Sequence, residues 1–252
     1  MKTAVVIPAR YASTRLPGKP LLRETGKYLV QHVYERACQA AGVDLVVVAT
    51  DDPRIASAVR GFGGRVEMTR RDHPSGTDRV AEVALRLDAD CVVNLQGDEP
   101  LIEPASVETL IRVLGDSDAD MATLAAPIQS AEQWRNPNCV KVVCDADGRA
   151  LYFSRSPIPF VRDGQPDFGA RPPCFLQHLG IYAYRRRFLF TLADLPPHPL
   201  EQLEKLEQLR VLAHGRRLQV GVVGHGTPGV DTYDDYQRFV AAWRQNRQDR
   251  AA

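Results

Sequence analysis

The sequence lacks any run of about 18 apolar residues, the length that a membrane-spanning helix needs. Its longest apolar runs, such as Leu45–Ala49, have only the length of a buried strand. Its first residues also lack the order of charged, apolar and small residues that marks a signal peptide. These absences predict a cytoplasmic protein that has no membrane partner.

An excess of one charge sign is missing as well. The 32 Lys and Arg residues almost balance the 31 Asp and Glu residues, which gives a formal net charge of +1. A general binder of nucleic acid needs a basic excess, so we expect no nucleic-acid partner. Apolar residues make up 44% of the chain and charged residues 25%, and this composition is typical of a globular protein.

Metal-binding and disulfide motifs are absent too. The chain has 5 Cys, an odd number without a C-x-x-C pair, which predicts reduced thiols. Its 6 His form no H-E-x-x-H motif and no Cys/His zinc spacing. The sequence therefore gives no sign of a zinc site or of a disulfide framework.

The first half of the chain alternates between strand and helix signals. Short apolar runs at Ala4–Ile7, Leu45–Ala49 and Cys91–Leu95 are separated by segments with helical spacing of apolar residues. Pro53 suits the first turn of one of these helices. Such alternation predicts an α/β fold with a mostly parallel sheet that is flanked by helices.

The pattern changes after about residue 120. Asp145–Gly148 predicts a hairpin turn between strands at Val140–Cys144 and Ala150–Ser154. Leucines that recur from Leu200 to Leu212 predict one amphipathic helix, with its glutamates on a solvated face. Residues 157–173 are rich in Pro, Gly and Asp and predict a mobile loop. We expect an inserted antiparallel section within a single domain over residues 1–252.

A basic loop follows the first predicted strand. Residues 8–20 carry the cations Arg10, Arg15 and Lys19 and the hydroxyls of Ser13 and Thr14. Open α/β sheets bind ligands beyond the carboxyl ends of their strands, and Arg and Lys are suited to phosphate. The segment is not a P-loop, because G-x-x-x-x-G-K-S/T is absent. The loop predicts a triphosphate site, and a solvated basic loop is the alternative.

Two acidic segments are candidates for a magnesium site. Asp98 follows an apolar strand, and Gly97 before it would let a ligand approach the backbone. If the chain stays extended there, at most one of Asp98 and Glu99 faces the site. Mg²⁺ takes one or two carboxylates and completes its shell with water and phosphate. Asp231 could be the second ligand, although taken alone its position favours a helix N-cap.

Two further segments have an ordinary structural interpretation beside a functional one. Ser75–Arg79 precedes a predicted helix and could hold a flat base or an anion, or could simply be a capped turn. His178 stands among apolar residues, where a lone histidine is more often structural.

Together these segments resemble the 3-deoxy-manno-octulosonate (Kdo) cytidylyltransferases, also called CMP-Kdo synthetases. The segments that carry the resemblance are collinear and span nearly the whole chain: Arg10–Leu21, Ser75–Arg79, Asn94–Pro100, Asn136–Asn138, Leu151–Arg155, His178–Tyr182, Leu206–Arg210 and Gly229–Thr232. Tyr11, Ala12 and Ser13 replace the glycines that the first loop has in the wider nucleotidyltransferase superfamily, as in its cytidylyl subgroup. The resemblance implies a Rossmann-like nucleotide-diphospho-sugar-transferase fold.

The resemblance also implies a reaction, in which the anomeric hydroxyl of Kdo attacks the α-phosphorus of CTP and pyrophosphate leaves. Such transfers depend on positioning and charge neutralisation. The implied catalytic residues are Lys19, Asp98, Arg10 and Arg15, and Mg²⁺ is the implied cofactor on Asp98 and Asp231. The implied nucleotide-binding residues are Ala9, Arg10, Ser13, Arg15, Lys19, Ser75, Gly76, Arg79 and Asp98. The implied sugar-binding residues are Gln96, Arg155, His178, Tyr182, Glu207 and Gln208, of which Arg155 suits the sugar carboxylate.

The family also implies a biological setting. It predicts a homodimer with a sugar-binding and dimerisation section at about residues 150–212, acting in the cytoplasm and supplying lipopolysaccharide biosynthesis. One alternative keeps the enzyme and changes the acceptor to 8-amino-Kdo or sialic acid. Another is a nucleotide-binding regulator without turnover, whose signature would be a lost acid at position 98 or 231 or a lost Lys19; all three residues are present.

Overall fold

A computed structural model describes residues 1–12 and 16–249. The chain forms two compact units: the first consists of Met1–Glu108 and Thr227–Ala252, and the second of Thr109–Gly226. The section predicted to bind sugar and to dimerise belongs to the second unit. The single domain expected over residues 1–252 stays a prediction, because two compact parts do not by themselves decide how many domains a chain has.

Strands and helices alternate along most of the chain. The strands are β1 (Thr3–Ala9), β2 (Leu45–Thr50), β3 (Val66–Met68), β4 (Cys91–Asn94), β5 (Met121–Pro127), β6 (Lys141–Cys144), β7 (Ala150–Ser154), β8 (Leu176–Arg185) and β9 (Leu218–Val222). The helices are α1 (Leu29–Cys38), α2 (Pro53–Gly61), α3 (Gly76–Leu85), α4 (Pro104–Gly115), α5 (Ala131–Arg135), α6 (Arg186–Asp194), α7 (Pro199–Glu204), α8 (Gln208–Ala213) and α9 (Tyr233–Asp249). A single turn of 3₁₀ helix covers Lys19–Leu21.

The sheet of the first unit is parallel throughout. Its strands lie in the order β3-β2-β1-β4, and β1 has β2 and β4 as parallel neighbours. Val5, Val6 and Val47 are fully buried, as expected of strands covered on both faces. Helices α1 and α2 pack against β2, and α3 packs against β1. The predicted parallel sheet flanked by helices is confirmed.

Helix starts in the first unit follow their local sequence. Asp52 accepts a hydrogen bond from the Arg54 backbone N–H at 2.9 Å, and Pro53 then opens α2 as predicted. Ser75 caps α3 in the same way, because its Oγ accepts from the Asp78 N–H at 3.1 Å. Both caps follow a strand of the parallel sheet, so they fix where the chain turns back after that strand.

The second unit contains the predicted antiparallel section. β5 pairs antiparallel with β8 and parallel with β9, while β6 pairs antiparallel with both β7 and β8. The hairpin turn between β6 and β7 is confirmed: the Gly148 N–H donates to the Asp145 carbonyl at 3.1 Å. Gly148 has a φ of 78°, a left-handed conformation that favours glycine.

The single helix predicted from Leu200 to Leu212 is wrong. Lys205 adopts the left-handed conformation, with φ 55° and ψ 46°, and so separates α7 from α8. The solvated face expected for the glutamates is wrong as well. Glu201 forms a two-bond ion pair with Arg210, and both of these side chains are only 14% exposed. These tertiary contacts override the leucine periodicity.

Helices α5 and α6 were not predicted at all. α5 has only 5 residues, which is too short for apolar periodicity to be recognised. No helix among the described residues is both long enough and apolar enough to cross a membrane.

Candidate active site

The first unit contains a cavity at the carboxyl edge of its parallel sheet. Its volume is about 440 Å³. The segments that follow β1 and β4 both reach it, because these strands are parallel neighbours and end at the same edge. The lining residues are Pro8, Ala9, Arg10, Ala12, Lys19, Pro20, Gly76, Gln96, Gly97, Asp98 and Asp231. Ser13, Thr14 and Arg15, which were also predicted in this loop, lie outside the described residues.

Lys19 pairs with both acidic residues that line this cavity. Its Nζ donates to Asp98 Oδ2 at 2.6 Å and to the Val230 carbonyl at 2.8 Å. The same Nζ lies 3.6 Å from Asp231 Oδ1. The Lys19 side chain is only 12% exposed, so this charge is weakly screened by solvent. The structure therefore brings the predicted phosphate lysine and both predicted metal ligands together.

Asp231 does not cap a helix, contrary to the role that its position alone favours. Thr232 takes that place: its Oγ1 accepts from the Asp235 N–H at 3.2 Å, and Asp235 Oδ2 accepts from the Thr232 N–H at 2.7 Å. This reciprocal pair opens α9 without Asp231, whose carboxylate lies beside Lys19 instead. The capping interpretation of Asp231 is wrong because the next residue does the capping.

Asp98 and Glu99 lie in a turn that begins at Gln96. The Glu99 N–H donates to the Gln96 carbonyl at 3.3 Å, so the chain is not extended as assumed. Of these two acids, only Asp98 lines the cavity. Glu99 accepts from Thr227 Oγ1 at 3.3 Å. Burial, together with the negative charges of Asp98 and Asp231, raises the pKa of Glu99 to about 7.

Gly97 is required by a backbone contact. A Cβ at this position would lie 3.0 Å from the Pro8 carbonyl oxygen, which is closer than side chains normally pack. The glycine thus lets the turn after β4 approach the end of β1. That contact, and not only room for a ligand, explains why position 97 is a glycine.

The Ser75–Arg79 segment is a capped turn beside the cavity, and its binding of a base or an anion stays a prediction. Ser75 caps α3, and Gly76 lines the cavity. Arg79 is buried, at 1% exposure, and its guanidinium contacts Thr69 Oγ1 and lies 3.2 Å from Asp51 Oδ1. Burial lowers the pKa of Arg79. Its Nε and Nη2 have no partner among the described residues, and Arg79 is not one of the residues that line the cavity.

Most of the predicted sugar-binding residues belong to the second unit, where three of them form one cluster. The rings of His178 and Tyr182 are 5.5 Å apart between centroids, and the Tyr182 hydroxyl donates to Gln208 Oε1 at 3.2 Å. Burial raises the pKa of Tyr182 well above its ordinary value, and the nearby Glu207 carboxylate adds to the effect. Gln208 is buried, and its Nε2 has no partner in the part of the chain that the structure describes. An amide donor of this kind suits a hydroxyl-rich ligand.

Arg155 is held by backbone carbonyls. Its Nε donates to the Glu204 carbonyl at 2.7 Å, and its Nη1 donates to the Pro137 carbonyl at 3.0 Å. None of the ion pairs between described residues involves Arg155, so its charge is not neutralised there by a carboxylate. Such a guanidinium suits an anionic ligand group.

Two residues that the sequence did not single out fix Arg155 in place. The Glu204 carboxylate accepts from Ser154 Oγ at 2.6 Å and from the Arg155 N–H at 2.9 Å. Lys141 is fully buried, and its Nζ donates to the carbonyls of Asn136 and Arg155, at 3.0 and 2.5 Å. Glu204 resembled a solvated helix residue, and Lys141 lay within a predicted strand, a setting that gives no sign of this role.

Gln96 is the one predicted sugar-binding residue of the first unit. It lines the 440 Å³ cavity, and its Nε2 donates to Asn94 Oδ1 at 3.2 Å. Thr123 was missed altogether, although its hydroxyl contacts His178 at 3.0 Å. Thr123 is the only side chain with a hydroxyl in the apolar strand β5, and this feature alone does not indicate a role in a site.

Known proteins resemble this chain along nearly its whole length. A family profile described as Cytidylyltransferase matches residues 4–218. The 3-deoxy-manno-octulosonate cytidylyltransferase of Syntrophobacter fumaroxidans is 54% identical, covering 98% of this chain and 98% of its own. The protein of the same name from Geobacter sulfurreducens is 54% identical, covering 95% and 98% respectively. A solved structure of CMP:2-keto-3-deoxy-manno-octonic acid synthetase complexed with CTP has a TM-score of 0.91 and 49% identity, covering 98% of this chain and all of its own.

Proposed function

The chain belongs to the cytidylyltransferase family, and we propose that it transfers the cytidylyl group of CTP to the anomeric hydroxyl of Kdo, giving CMP-Kdo and pyrophosphate. Membership confirms the resemblance found in the sequence and the nucleotidyltransferase fold. The observation that carries the proposal is the Lys19 ammonium between Asp98 and Asp231 in the cavity at the sheet edge.

The first unit is proposed to bind CTP. Arg10 and Lys19 line its cavity and would neutralise the triphosphate, and Arg15 and Ser13 are assigned to the same task by the family pattern. The backbone at Ala9 and Gly76 borders the cavity and would approach the nucleotide. Ser75 and Arg79 would support the cytosine and ribose side. As pyrophosphate leaves, negative charge grows on it, and a fixed ammonium such as Lys19 lowers the barrier by stabilising that charge.

Asp98 and Asp231 fit a Mg²⁺ ion. Both carboxylates lie beside the Lys19 ammonium. The side chain of Asp98 is 32% exposed and that of Asp231 is 52% exposed. No group of three or more His, Cys, Asp or Glu suited to a metal occurs among the described residues. Two carboxylates suffice for Mg²⁺, which fills its shell with water and substrate phosphate. When bound, the ion would supply positive charge at the α-phosphate.

Residues of the second unit are proposed to recognise the acid sugar. Arg155 would bind the Kdo carboxylate, because its guanidinium has only neutral carbonyl partners in the part of the chain that the structure describes. His178, Tyr182, Glu207 and Gln208 would bind hydroxyls, and the unpartnered Gln208 Nε2 supports this assignment. Gln96, which lines the cavity of the first unit, is assigned to the sugar by the family pattern alone.

The bond changes need no protein nucleophile. The anomeric oxygen of Kdo forms a bond to the α-phosphorus of CTP and gives its proton to solvent water. The bond from that phosphorus to the oxygen that bridges the α- and β-phosphates breaks, and pyrophosphate leaves with the bonding electrons. The protein would hold both reactants in line and neutralise the charge that develops.

We further propose that the enzyme is a homodimer, acts in the cytoplasm and supplies CMP-Kdo for lipopolysaccharide biosynthesis. The dimer is supported by exposed apolar side chains within the section predicted to dimerise, since Leu203 is 81% and Phe160 83% exposed. Light scattering on the purified protein would test it, and a Leu203→Glu variant should be monomeric if α7 takes part.

Pyrophosphate release from CTP tests the proposed function. Purified protein is incubated with CTP and Mg²⁺, with Kdo, 8-amino-Kdo, sialic acid or no sugar, and with EDTA in a parallel series. We expect release only with Kdo and metal. If pyrophosphate is released only with another acid sugar, the assignment of Kdo as the acceptor is wrong. If CTP binds but no pyrophosphate is released under any condition, the nucleotide-binding regulator is favoured.

A further inference from the structure

Strand β8 contains an irregularity opposite Thr123 of β5. The register pairs Thr123 with Tyr182 and the next residue, Leu124, with Leu179. Gly180 and Ile181 therefore have no counterpart on β5. Irregularities of this kind leave backbone groups outside the ladder and change the direction of neighbouring side chains. One such side chain is that of His178, which lies just before the irregularity on β8 and is proposed to bind the sugar.

The Thr123 hydroxyl occupies this irregularity. Thr123 is fully buried, and its Oγ1 lies 2.8 Å from the Ile181 carbonyl oxygen and 3.1 Å from that of Leu179. The same Oγ1 lies 3.0 Å from His178 Nε2. One hydroxyl thus joins the backbone of the irregular segment to the imidazole ring.

Counting protons assigns a direction to each of these hydrogen bonds. A carbonyl oxygen can only accept, and a threonine hydroxyl has one proton to donate. That proton is therefore directed to the carbonyls, of which Ile181 is the nearer. The oxygen of Thr123 must then accept from the ring, which requires a proton on His178 Nε2.

The surroundings of His178 keep the ring uncharged. The residue is 8% exposed, and burial lowers its pKa to about 3. The ring of Phe153 packs edge-on against it at 5.0 Å, and Tyr182 packs at 5.5 Å between centroids. A neutral imidazole carries one proton, so a proton on Nε2 leaves a lone pair on Nδ1.

We infer that Thr123 is a positioning residue, which holds the proton of the His178 ring on Nε2 and thereby presents Nδ1 as a hydrogen-bond acceptor for a hydroxyl of the sugar substrate. The inference rests on the proposed function for the identity of the ligand. Gln208 Nε2 offers a donor in the same cluster, so the two side chains together would match the donor and acceptor sides of sugar hydroxyls.

The protonated nitrogen can be measured without any substrate. Long-range ¹H–¹⁵N correlation spectra of the uniformly labelled protein distinguish the two neutral forms of each histidine ring, and a His178→Gln variant assigns the signal. We expect His178 to be neutral at pH 7 with the proton on Nε2. A proton on Nδ1, or a charged ring, would overturn the inference even if the enzyme proves to be a Kdo cytidylyltransferase.

Two variants of nearly matched shape test the effect on the substrate. Thr123→Val keeps the branched side chain and removes the hydroxyl, while Thr123→Ser keeps the hydroxyl. For Thr123→Val we expect mixed proton positions on His178 and a rise of about tenfold in KM for Kdo, with KM for CTP unchanged. Thr123→Ser should keep the Nε2 proton and a KM for Kdo within about threefold of the parent.

The outcomes separate the inference from the proposed function. If Thr123→Val leaves both the spectrum and KM for Kdo unchanged, or raises the KM of both substrates equally, Thr123 has no positioning role. If the parent uses another acid sugar, the same KM comparison is made with that sugar. If Thr123→Val does not fold, the spectrum of the parent protein still decides the assignment.

Discussion

The two units of the molecule hold their candidate site residues by different means. In the first unit the arrangement is ionic: Lys19 lies between Asp98 and Asp231 at the edge of a parallel sheet. In the second unit the centre is an uncharged cluster of rings, a hydroxyl and an amide around His178 and Tyr182. Triphosphate and metal need charge, whereas a hydroxyl-rich sugar needs directed neutral hydrogen bonds. The difference matches the two substrates that we propose.

The largest expected effect comes from breaking the ionic arrangement at Asp98. Asp98→Asn should fold, because the side chain keeps its size, but should lose activity by about a thousandfold, since a neutral amide is a poor ligand for Mg²⁺. Steady-state pyrophosphate release measures the loss. Asp88→Asn is the matched control, because Asp88 is 94% exposed, pairs with the exposed Lys2 and is not one of the residues that line the cavity. Normal activity in Asp98→Asn would refute the metal assignment.

Removing the charge of Lys19 should have the next largest effect. Lys19→Met keeps the length of the side chain and removes the ammonium that contacts Asp98 and the Val230 carbonyl. We expect kcat to fall about a hundredfold, since a fixed charge at the leaving group is lost. Lys27→Met, at a lysine outside the cavity, is the control. A change confined to KM for CTP would show that Lys19 stabilises the bound substrate and the transition state equally, which would contradict a specific role at the leaving group.

In the second unit, Glu204 is expected to act on the sugar alone. Glu204→Gln weakens the contacts that hold the Arg155 backbone, so KM for Kdo should rise about fivefold while KM for CTP stays constant. Glu201→Gln, on the same helix, weakens the ion pair with Arg210 and should lower the melting temperature without changing either KM. Equal kinetic effects of the two variants would contradict a specific role for Glu204.

The smallest expected effect concerns the break between α7 and α8. Lys205 has a left-handed conformation that costs a non-glycine residue roughly 1 kcal/mol. Lys205→Gly should therefore raise the melting temperature by roughly 2–4 °C and leave the kinetics unchanged. Lys205→Ala retains a Cβ and should not show the gain. A Lys205→Gly variant that is less stable than the parent would mean that contacts of the lysine outweigh the backbone cost.

The same contrast explains what the sequence could predict. Lys19 and Asp98 lie in segments with local signals, and charged residues that follow the strands of a parallel sheet indicate a ligand site from the sequence pattern alone. The parallel direction of β1, β2 and β4, though not their order in the sheet, likewise follows from apolar runs that alternate with helical segments. Local pattern and chemistry were sufficient for Lys19 and Asp98, whereas for Asp231 the local pattern favoured a helix cap and the family resemblance supplied the metal role.

The second unit depends on contacts between residues that are distant in sequence. Thr123 and His178 are brought together by pairing between β5 and β8, and Glu204, the last residue of α7, contacts the Arg155 backbone, which lies 49 positions earlier in the sequence. Neither a buried hydroxyl in a strand nor a glutamate in a leucine-rich helix indicates such a role by itself. The family resemblance supplied His178, Gln208 and Arg155, but the residues that hold them are defined by tertiary contacts.

Hydrogen exchange with the substrates added separately tests most directly whether the first unit binds the nucleotide and the second unit the acid sugar. A non-reactive CTP analogue with Mg²⁺ should slow backbone exchange at residues 75–79 and 95–99. Kdo added to the protein already saturated with this analogue should slow exchange at residues 176–182 and 206–210. If Kdo leaves both of these segments unchanged, the assignment of the acid sugar to the second unit is wrong.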